Sequence, residues 1–482
     1  MLVSDRRVRR KRAAVSDLKQ ALRSIPSVDQ LLALPAFQRL QKTWRRETLK
    51  RFLQIRLEDY RAELGRGAQA LDRESILGRL ALEWADDWKA LSRNPTRRVI
   101  NATGVLLHTN LGRAALGARA RRAVETAAHW PVDLELDLSS GQRASRTRKA
   151  DLLLRAWSGA PAAFVVNNNA AALTLAVDTL ARKRRLIVSR GEQVEIGGSF
   201  RLPEILERFA GKMVEVGTTN RTRIVDYEKA IARKGDVLLK VHRSNFRQIG
   251  YTEEAGLEQL VALGRAKGSP VIYDLGSGRF DEGMDWLDEP AFEASLALGP
   301  DLLTFSGDKI FGGPQAGIIL GRADLLDSLR KNPLARALRV DKLTLAALSE
   351  SILERIRPEG DLPARQSLTR DRKALEKLGR ELAREIRTTR LPGLKLELQP
   401  SEARSGGGAA AENPWPSVAL KITVKDLPAG RLAARLRRGR PALLGMVRRE
   451  ALFLDLAALD ATEFPLIAKA LVKAVGEGKR DA

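Results

Sequence analysis

The sequence lacks cysteine altogether and contains only three histidines, His108, His129 and His242, among its 482 residues. The absence of cysteine excludes disulfides, iron–sulfur clusters and thiolate zinc sites, and so few histidines argue against an all-histidine metal site. No apolar run approaches the roughly 20 residues that span a bilayer, and the basic start of the chain lacks the apolar core of a signal peptide. We therefore expect a cytoplasmic protein with no metal site and no membrane partner.

Several common ligand-binding motifs are also missing. The chain has no glycine-rich Walker loop, no zinc helix with paired histidines and no GxGxxG dinucleotide fingerprint. The segment GSGRFDEG, which begins at Gly276, is too irregular for such a fingerprint. Gly276 and Gly278 are better explained as positions where the backbone approaches a ligand closely.

Basic residues are in large excess. Lysine and arginine total 84 against 59 acidic residues, which gives a formal net charge of +25 and a pI near 10.6. This excess suggests a polyanionic partner, although an arginine-rich solvated surface would give the same composition. Residues 5–66 are especially basic and have apolar residues at helical spacing, with a helix start indicated at Ser27. The pattern predicts a basic helical domain over residues 1 to about 85.

From about residue 99 the chain changes to short apolar runs that alternate with longer helical stretches. Seven runs rich in valine, isoleucine and phenylalanine qualify as strands: AAFVV, RLIVS, KMVEVG, DVLLKV, PVIYDL, DLLTFS and AGIILG. This alternation predicts an α/β fold with a mainly parallel seven-stranded sheet that is covered by helices on both faces. Because ligands of such sheets bind beyond the carboxyl ends of the strands, the polar residues that follow these runs are candidate site residues.

Two residues at predicted strand ends point to one cofactor. Lys309 lies in TFSGDKIFGGPQAG, where burying an unpaired ammonium group would cost several kcal/mol, and Asp274 ends an earlier strand. Pyridoxal 5′-phosphate needs an amine for a Schiff base and a carboxylate that keeps its pyridine nitrogen protonated. Asn167, Asn168 and Asn169 precede an apolar helix whose free amides would hold the phosphate. The residues alone leave alternatives open, since the asparagines also suit a helix-capping turn and Asp274 could pair with an arginine.

The order of the motifs resembles that of a known family. The segments INATGVLLHTNLGRAAL, VVNNNAAA, SRGEQVEIGGSFRLPEI, VEVGTTNRT, KVHRSNF, DLGSG and SGDKIFGGPQAGII occur in the order found in bacterial L-seryl-tRNA(Sec) selenium transferases, the selenocysteine synthases. The resemblance is strong over residues 99–360 and weaker towards both ends of the chain. It implies a fold-type I pyridoxal-phosphate-dependent transferase, with a large cofactor domain over residues 86–360 and a small α+β domain over residues 361–482.

The resemblance also implies a reaction. The serine esterified to tRNA(Sec) would lose its α-proton and its hydroxyl group to give an aminoacryloyl intermediate, and selenophosphate would then add selenium. Lys309 would hold the cofactor and later move protons, while Asp274 would keep the pyridine nitrogen protonated. Asp308, beside Lys309, is a candidate for tuning its amine, although a turn cap is the alternative.

Further site residues are assigned by their match to the family. Arg113, Arg336 and Arg339 match arginines that bind the anionic selenium donor, and the last two would share one face of a helix because they are three positions apart. Without the resemblance this pair would be interpreted as ordinary surface charge. Asn245 is expected to donate a hydrogen bond to the 3′ oxygen of the cofactor, and Ser306 is expected to contact the cofactor.

The expected partners are seryl-tRNA(Sec), which the basic N-terminal domain would select by its shape, and selenophosphate, with no DNA partner. The resemblance implies a homo-oligomer, which is a homodecamer in bacterial members. Two other functions remain open at this point. One is a pyridoxal-phosphate enzyme of the desulfurase or aldolase type that acts on a free amino acid and has no use for the basic domain. The other is an inactive RNA-binding relative, which would not need both Asp274 and Lys309.

Overall fold

The computed structural model describes residues 21–66, 68–93, 96–196, 200–406 and 414–476. The chain forms two compact units, Met1–Arg98 and Val99–Ala482. The first domain boundary was expected near residue 85, a position that lies inside a helix, Ala81–Arg93. Residues 1–20 and Gly67 of the expected basic domain lie outside the described residues.

The first unit consists of helices around a small apolar core. Ser27 begins the helix Val28–Leu32, as expected, because its hydroxyl accepts from the Gln30 N–H at 3.3 Å while the Gln30 side chain accepts from the Ser27 N–H at 3.0 Å. The third helix buries Leu49, Leu53 and Leu57, which lie one above the other on one face. The elements are α1 Val28–Leu32, α2 Pro35–Gln41, α3 Arg46–Gly65, α4 Arg73–Ser75 and α5 Ala81–Arg93, with a π-helical turn at Ile76–Leu80.

The second unit contains the expected seven-stranded sheet. In space the strands follow the order β2-β10-β9-β8-β7-β3-β6, and all neighbours are parallel except β10, which is antiparallel to both β2 and β9. Each of the seven predicted apolar runs forms one of these strands. The strands up to β10 are β1 Val99–Asn101, β2 Ala162–Val166, β3 Arg185–Ser189, β4 Glu195–Ile196, β5 Phe200–Arg201, β6 Lys212–Val216, β7 Val237–Val241, β8 Val271–Gly276, β9 Leu302–Ser306 and β10 Gly317–Gly321.

Helices cover both faces of this sheet. Alternate strand residues point to opposite faces, so Ile272 belongs to one apolar core with helix residues such as Leu173 and Leu206, whereas Tyr273 belongs to a second core with Leu154 and Leu348. No described helix is both long enough and apolar enough to cross a membrane. The helices of this part are α6 Ala118–His129, α7 Arg148–Ser158, α8 Asn169–Ala181, α9 Leu202–Phe209, α10 Ile224–Ala230, α11 Leu257–Lys267, α12 Phe292–Ala297, α13 Ala323–Lys331, α14 Leu334–Ala337 and α15 Lys342–Ile356.

A second, antiparallel sheet lies in the C-terminal part of the same unit. Its strands follow the order β11-β12-β15-β14, and α17, α18 and α19 contribute to its apolar core. The short strand β1 pairs in parallel with β13, which brings Ile100 and Ala102 into this core. The remaining elements are α16 Pro363–Leu368, α17 Arg372–Thr388, β11 Leu394–Ala403, β12 Trp415–Val424, α18 Ala429–Arg438, β13 Ala442–Leu444, β14 Met446–Arg448, β15 Ala451–Asp455 and α19 Phe464–Gly476.

Candidate active site

Lys309 lies in a tight loop directly after β9, and its side chain is buried. The loop closes on itself, because the Gly307 N–H donates to the Ala316 carbonyl at 2.8 Å and the Gly313 N–H donates to the Gly307 carbonyl at 2.7 Å. A Cβ atom at Gly307 would lie 2.6 Å from the carbonyl oxygen of Pro314, so only glycine fits there. The backbone therefore fixes where the lysine enters the site.

The surroundings of Lys309 favour its neutral amine. Burial is the largest effect and lowers the pKa of Lys309, and the nearby Arg113 guanidinium lowers it further. Three carboxylates, those of Glu289, Asp274 and Asp308, act in the opposite direction. A buried amine with a lowered pKa is the form that attacks a carbonyl group and later accepts a proton.

Asp274 is buried at the end of β8 and is held by two donors. Asn169 Nδ2 donates to its Oδ1 at 2.8 Å, and Thr304 Oγ1 donates to the same oxygen at 3.1 Å. Burial raises the pKa of Asp274, while these hydrogen bonds and the charge of Lys309 lower it in part. A cation brought to this carboxylate would be stabilised by it, which is the requirement for holding a protonated pyridine nitrogen.

The three asparagines have different contacts. Asn168 caps α8 by accepting from the Ala171 N–H at 2.8 Å, and the Asn167 N–H donates to the Leu338 carbonyl at 3.1 Å. Asn169 instead orients Asp274, and its own Oδ1 is buried with no hydrogen-bond partner among the described residues. The capping turn and the cofactor-binding loop, which were alternatives at the sequence level, are therefore compatible in one segment.

Asp308 pairs with Arg113 from a distant part of the chain. Arg113 Nη1 lies 2.8 Å from Asp308 Oδ2, and the Ala114 N–H donates to the Asp308 carbonyl at 3.2 Å. Arg113 has a left-handed backbone, with φ 61°, just after Gly112 with φ 90°. Its Nε is buried and has no hydrogen-bond partner within the described part of the chain. Asp308 therefore pairs with Arg113, and its role in tuning the Lys309 amine stays a prediction.

The expectation that Arg336 and Arg339 share one helical face is wrong. The helix α14 ends at Ala337, so Arg339 lies in the non-helical segment before Asp341, which caps the next helix. The two arginines are nevertheless near enough to interact, because the pKa of Arg339 is lowered by loss of hydration and then by the charges of Arg146 and Arg336. The bond from Asn167 to Leu338 joins this basic segment to the asparagine loop.

The remaining predicted residues are placed less centrally. Asn245 Nδ2 donates to the backbone carbonyl of Glu195 at 2.7 Å, and Asn245 Oδ1 is buried without a partner among the residues described. Ser306 is buried at the end of β9, opposite Gly317 of β10. The roles of Asn245 and Ser306 at the cofactor stay predictions.

Three functional candidates were not predicted. Thr304 lies opposite Asp274 in the pairing of β8 with β9, and counting the register of the two predicted strands could have found it. Glu289 is buried, and its Oε2 lies 3.1 Å from His242 Nε2. Its carboxylate raises the pKa of Lys309. Its sequence context, a loop without periodicity, carries no signal.

Arg355 from α15 is the third of these. It is buried beneath the lysine loop, where its Nε and Nη2 donate to the Phe311 carbonyl at 3.0 and 2.8 Å. Its Nη1 pairs with both oxygens of Asp281, at 3.1 and 3.0 Å, and its guanidinium lies 4.8 Å from the centre of the Phe311 ring. Arg355 therefore fixes the backbone two residues after Lys309.

Comparison with known proteins identifies the family. The family model described as L-seryl-tRNA selenium transferase matches residues 99–460. The chain belongs to this family. A relative from Nitratidesulfovibrio vulgaris, named L-seryl-tRNA(Sec) selenium transferase, is 40% identical over 472 residues, which are 95% of this chain and 100% of the relative. One from Moorella thermoacetica with the same name is 42% identical over 462 residues, covering 95% of this chain and 97% of that protein.

Family membership confirms the resemblance drawn from the motifs, and a solved structure supports the fold. The structure titled D-glucosaminate-6-phosphate ammonia-lyase is similar with a TM-score of 0.55 and 18% identity, over 80% of this chain and 98% of that one. The predicted α/β fold, that of the fold-type I pyridoxal-phosphate-dependent transferases, is confirmed.

Proposed function

We propose that this protein converts L-seryl-tRNA(Sec) to L-selenocysteinyl-tRNA(Sec), with pyridoxal 5′-phosphate as cofactor and selenophosphate as selenium donor. One observation carries the proposal: a member of the selenium transferase family has a buried lysine at one strand end and a buried, doubly hydrogen-bonded aspartate at the neighbouring strand end. Because β8 and β9 are parallel neighbours, both residues lie at the carboxyl ends of adjacent strands.

The residues present suit this cofactor. Lys309 would hold it covalently, Asp274 would hold its pyridine nitrogen, and the N-terminus of α8 would hold its phosphate. Asn169 Oδ1 and Arg113 Nε, both buried and without partners in the described chain, are ready to bond a polar ligand. When bound, pyridoxal phosphate supplies an electron sink for the electrons left at the serine α-carbon.

The protein side chains supply the proton transfers and the charge. Lys309, whose pKa is lowered by burial, is suited to accept the α-proton of the serine moiety and to return a proton later. Arg113 and Asp308 form an ion pair next to Lys309 that holds the lysine loop. Their charges act in opposite directions on the pKa of Lys309. Arg336 and Arg339 are exposed, basic and joined to the asparagine loop, so they are the candidates for binding the anionic donor.

The family name and the charge distribution support the remaining parts of the proposal. The substrate class is a charged tRNA, so we place the protein in the cytoplasm and assign recognition of the RNA to the basic N-terminal part, residues 1 to about 85. We also keep the expectation of a homo-oligomer, a decamer by resemblance to bacterial members. The predicted division into 1–85, 86–360 and 361–482 stays a proposal about function.

The test is conversion of seryl-tRNA(Sec) in the presence of selenophosphate. Wild-type protein loaded with pyridoxal phosphate should form selenocysteinyl-tRNA, and Lys309→Arg, which keeps the positive charge, should form none. Borohydride reduction followed by peptide mapping should attach the cofactor to Lys309 in the wild type only. Turnover of free serine or cysteine without turnover of seryl-tRNA would support the free amino acid enzyme instead, and a label on another lysine would overturn the assignment.

A further inference from the structure

A cavity adjoins the candidate active site at the carboxyl end of β7. It measures about 640 Å³ and lies between the segment 240–249, the loop 288–290 and α12. The His242 N–H donates to the Asp274 carbonyl at 2.9 Å, which joins the first of these walls to the aspartate at the end of β8. Asn245, which is expected to contact the cofactor, also lines the cavity. A ligand in this cavity would therefore lie next to the candidate cofactor site.

Ion pairs account for the charged side chains of the lining. Three of these side chains are lysine or arginine, three are aspartate or glutamate, and the seventh titratable group besides tyrosine is His242. Each basic group contacts a carboxylate, and the pairs are Lys240–Glu192, Arg243–Glu254, Arg247–Asp288 and His242–Glu289. The described lining thus has balanced charges, so it suits a polar, uncharged group better than a phosphate.

The rest of the lining combines an aromatic face with hydroxyl groups. Phe246 is half-buried and packs against one of the two apolar cores of the large sheet, and Pro290 and Leu298 add apolar surface to the cavity. Ser244 and Ser295 line the same cavity. Aromatic faces stack on nucleobases, and serine hydroxyls can donate to or accept from ribose and base atoms. These are the features of a nucleoside site.

The proposed substrate supplies a nucleoside at this place. In an aminoacyl-tRNA the amino acid is esterified to the ribose of the 3′-terminal adenosine, so a serine at Lys309 brings that adenosine into the adjoining space. The cavity volume of about 640 Å³ also lies within the roughly 300 to 1,000 Å³ of pockets that enclose a small molecule. We propose that this cavity binds the 3′-terminal adenosine of seryl-tRNA with its base against Phe246, an inference that rests on the proposed function.

The test measures how much of the tRNA affinity comes from the terminal adenosine. The probes are deacylated tRNA(Sec) and the same RNA without that adenosine, each bound to the full chain loaded with pyridoxal phosphate. Wild type should bind the complete RNA roughly tenfold more tightly than the shortened one. Phe246→Leu keeps an apolar side chain but removes the aromatic face, so it should bind both RNAs as wild type binds the shortened one.

Phe209→Leu is the matched control. Phe209 is also half-buried and packs against the same apolar core, but it does not line the cavity. This variant should keep the wild-type difference between the two RNAs. The cofactor absorbance and the thermal unfolding midpoint of both variants should match wild type, which separates weaker binding from misfolding.

A photo-crosslink gives a second readout that needs no variant, and it decides the matter if Phe246→Leu misfolds. An 8-azidoadenosine at the 3′ end of tRNA(Sec) should label residues 240–249 or 288–298 of wild type, as located by peptide mapping. Equal binding of both RNAs by wild type, a wild-type difference in folded Phe246→Leu, its loss in Phe209→Leu, or a label elsewhere would overturn the inference. Those results combined with conversion of seryl-tRNA(Sec) remove the inference alone, whereas wild type that binds neither RNA removes the proposed function as well.

Discussion

The Asp274 carboxylate is oriented by the protein before any ligand arrives, because Asn169 and Thr304 both donate to one of its oxygens. Asp274→Asn keeps an oxygen acceptor for these donors but removes the negative charge. We expect the variant to fold and to bind pyridoxal phosphate, yet to dehydrate seryl-tRNA about 100-fold or more slowly. Single-turnover loss of serine, measured beside the cofactor absorbance, checks this. Wild-type turnover would remove Asp274 from the mechanism.

The arginines should divide between the two halves of the reaction. Arg336→Ala and Arg339→Ala should each lower the apparent affinity for selenophosphate by roughly tenfold. Dehydration of seryl-tRNA should stay near wild type, since only the selenium donor carries phosphate charge. Arg113→Ala should slow both halves, because it leaves Asp308 unpaired beside Lys309. Following serine loss and selenocysteine formation separately distinguishes the two groups. Equal effects of all three substitutions on both halves would contradict the division.

At the scale of elements, α15 supports the lysine loop through a single guanidinium. Arg355→Lys keeps the charge but loses the fork that reaches the Phe311 carbonyl and Asp281 together. We expect the unfolding free energy to fall by about 2 to 4 kcal/mol and cofactor occupancy to fall with it. Arg357→Lys is the control, because Arg357 is two residues further on and is one-third exposed. Thermal unfolding should be little changed in that control.

The packing of α7 should make stability depend on pH through Asp151. Burial raises the pKa of Asp151 to about 7, although Thr147 Oγ1 donates to it at 2.9 Å and Arg330 lies 3.6 Å away. A carboxyl whose pKa is higher in the folded than in the unfolded chain costs no stability below the unfolded pKa. The cost grows as the pH rises from the unfolded value to the folded value, and it stays constant above the folded value.

Asp151→Asn should therefore be more stable than wild type at pH 8, by at most about 4 kcal/mol, and the difference should shrink as the pH falls from 7 towards 4. Thermal unfolding midpoints of both proteins over this pH range check the sign. A difference that does not change with pH would show that Asp151 is charged in the fold at all these values.

Much of the element pattern could be predicted because it depends on local signals. The seven strands of the large sheet are continuous apolar runs, and each run formed a strand. The antiparallel direction of β10 could not be predicted, since a run that is buried on both faces looks the same in either direction. The expectation that one helix carries both Arg336 and Arg339 was wrong for another local reason, because the first helix ends at Ala337 and Asp341 caps a new one.

The site could be predicted only as far as strand ends identify it. Lys309, Asp274 and the asparagines follow apolar runs, and their order is visible in the sequence. The contact between Arg113 and Asp308 joins positions 195 residues apart, and Arg355 reaches the lysine loop from a helix 44 residues downstream of Phe311. Such contacts depend on how elements pack, so spacing in the sequence does not reveal them.

At the scale of the whole molecule, the two compact units should separate catalysis from RNA binding. A chain that begins at residue 96 keeps every candidate cofactor residue, the seven-stranded sheet and the four-stranded sheet. We expect it to bind pyridoxal phosphate as the full chain does but to bind tRNA(Sec) far more weakly, with a reduced salt dependence. Affinities of both chains at two salt concentrations, with cofactor occupancy as a folding control, check this. Full affinity and preference over tRNA(Ser) in the short chain would mean that residues 1–95 do not select the RNA.

The pairing of β1 with β13 also sets the order in which the chain can fold during synthesis. Val99–Asn101 leaves the ribosome hundreds of residues before Ala442–Leu444, its only strand partner within the described residues. At about 5 to 20 residues per second the wait lasts on the order of tens of seconds. Throughout that time Ile100 and Ala102 have no completed core to enter. The nascent chain must therefore keep this apolar segment from wrong partners until its last hundred residues have emerged, which makes it a natural point of contact for a ribosome-associated chaperone.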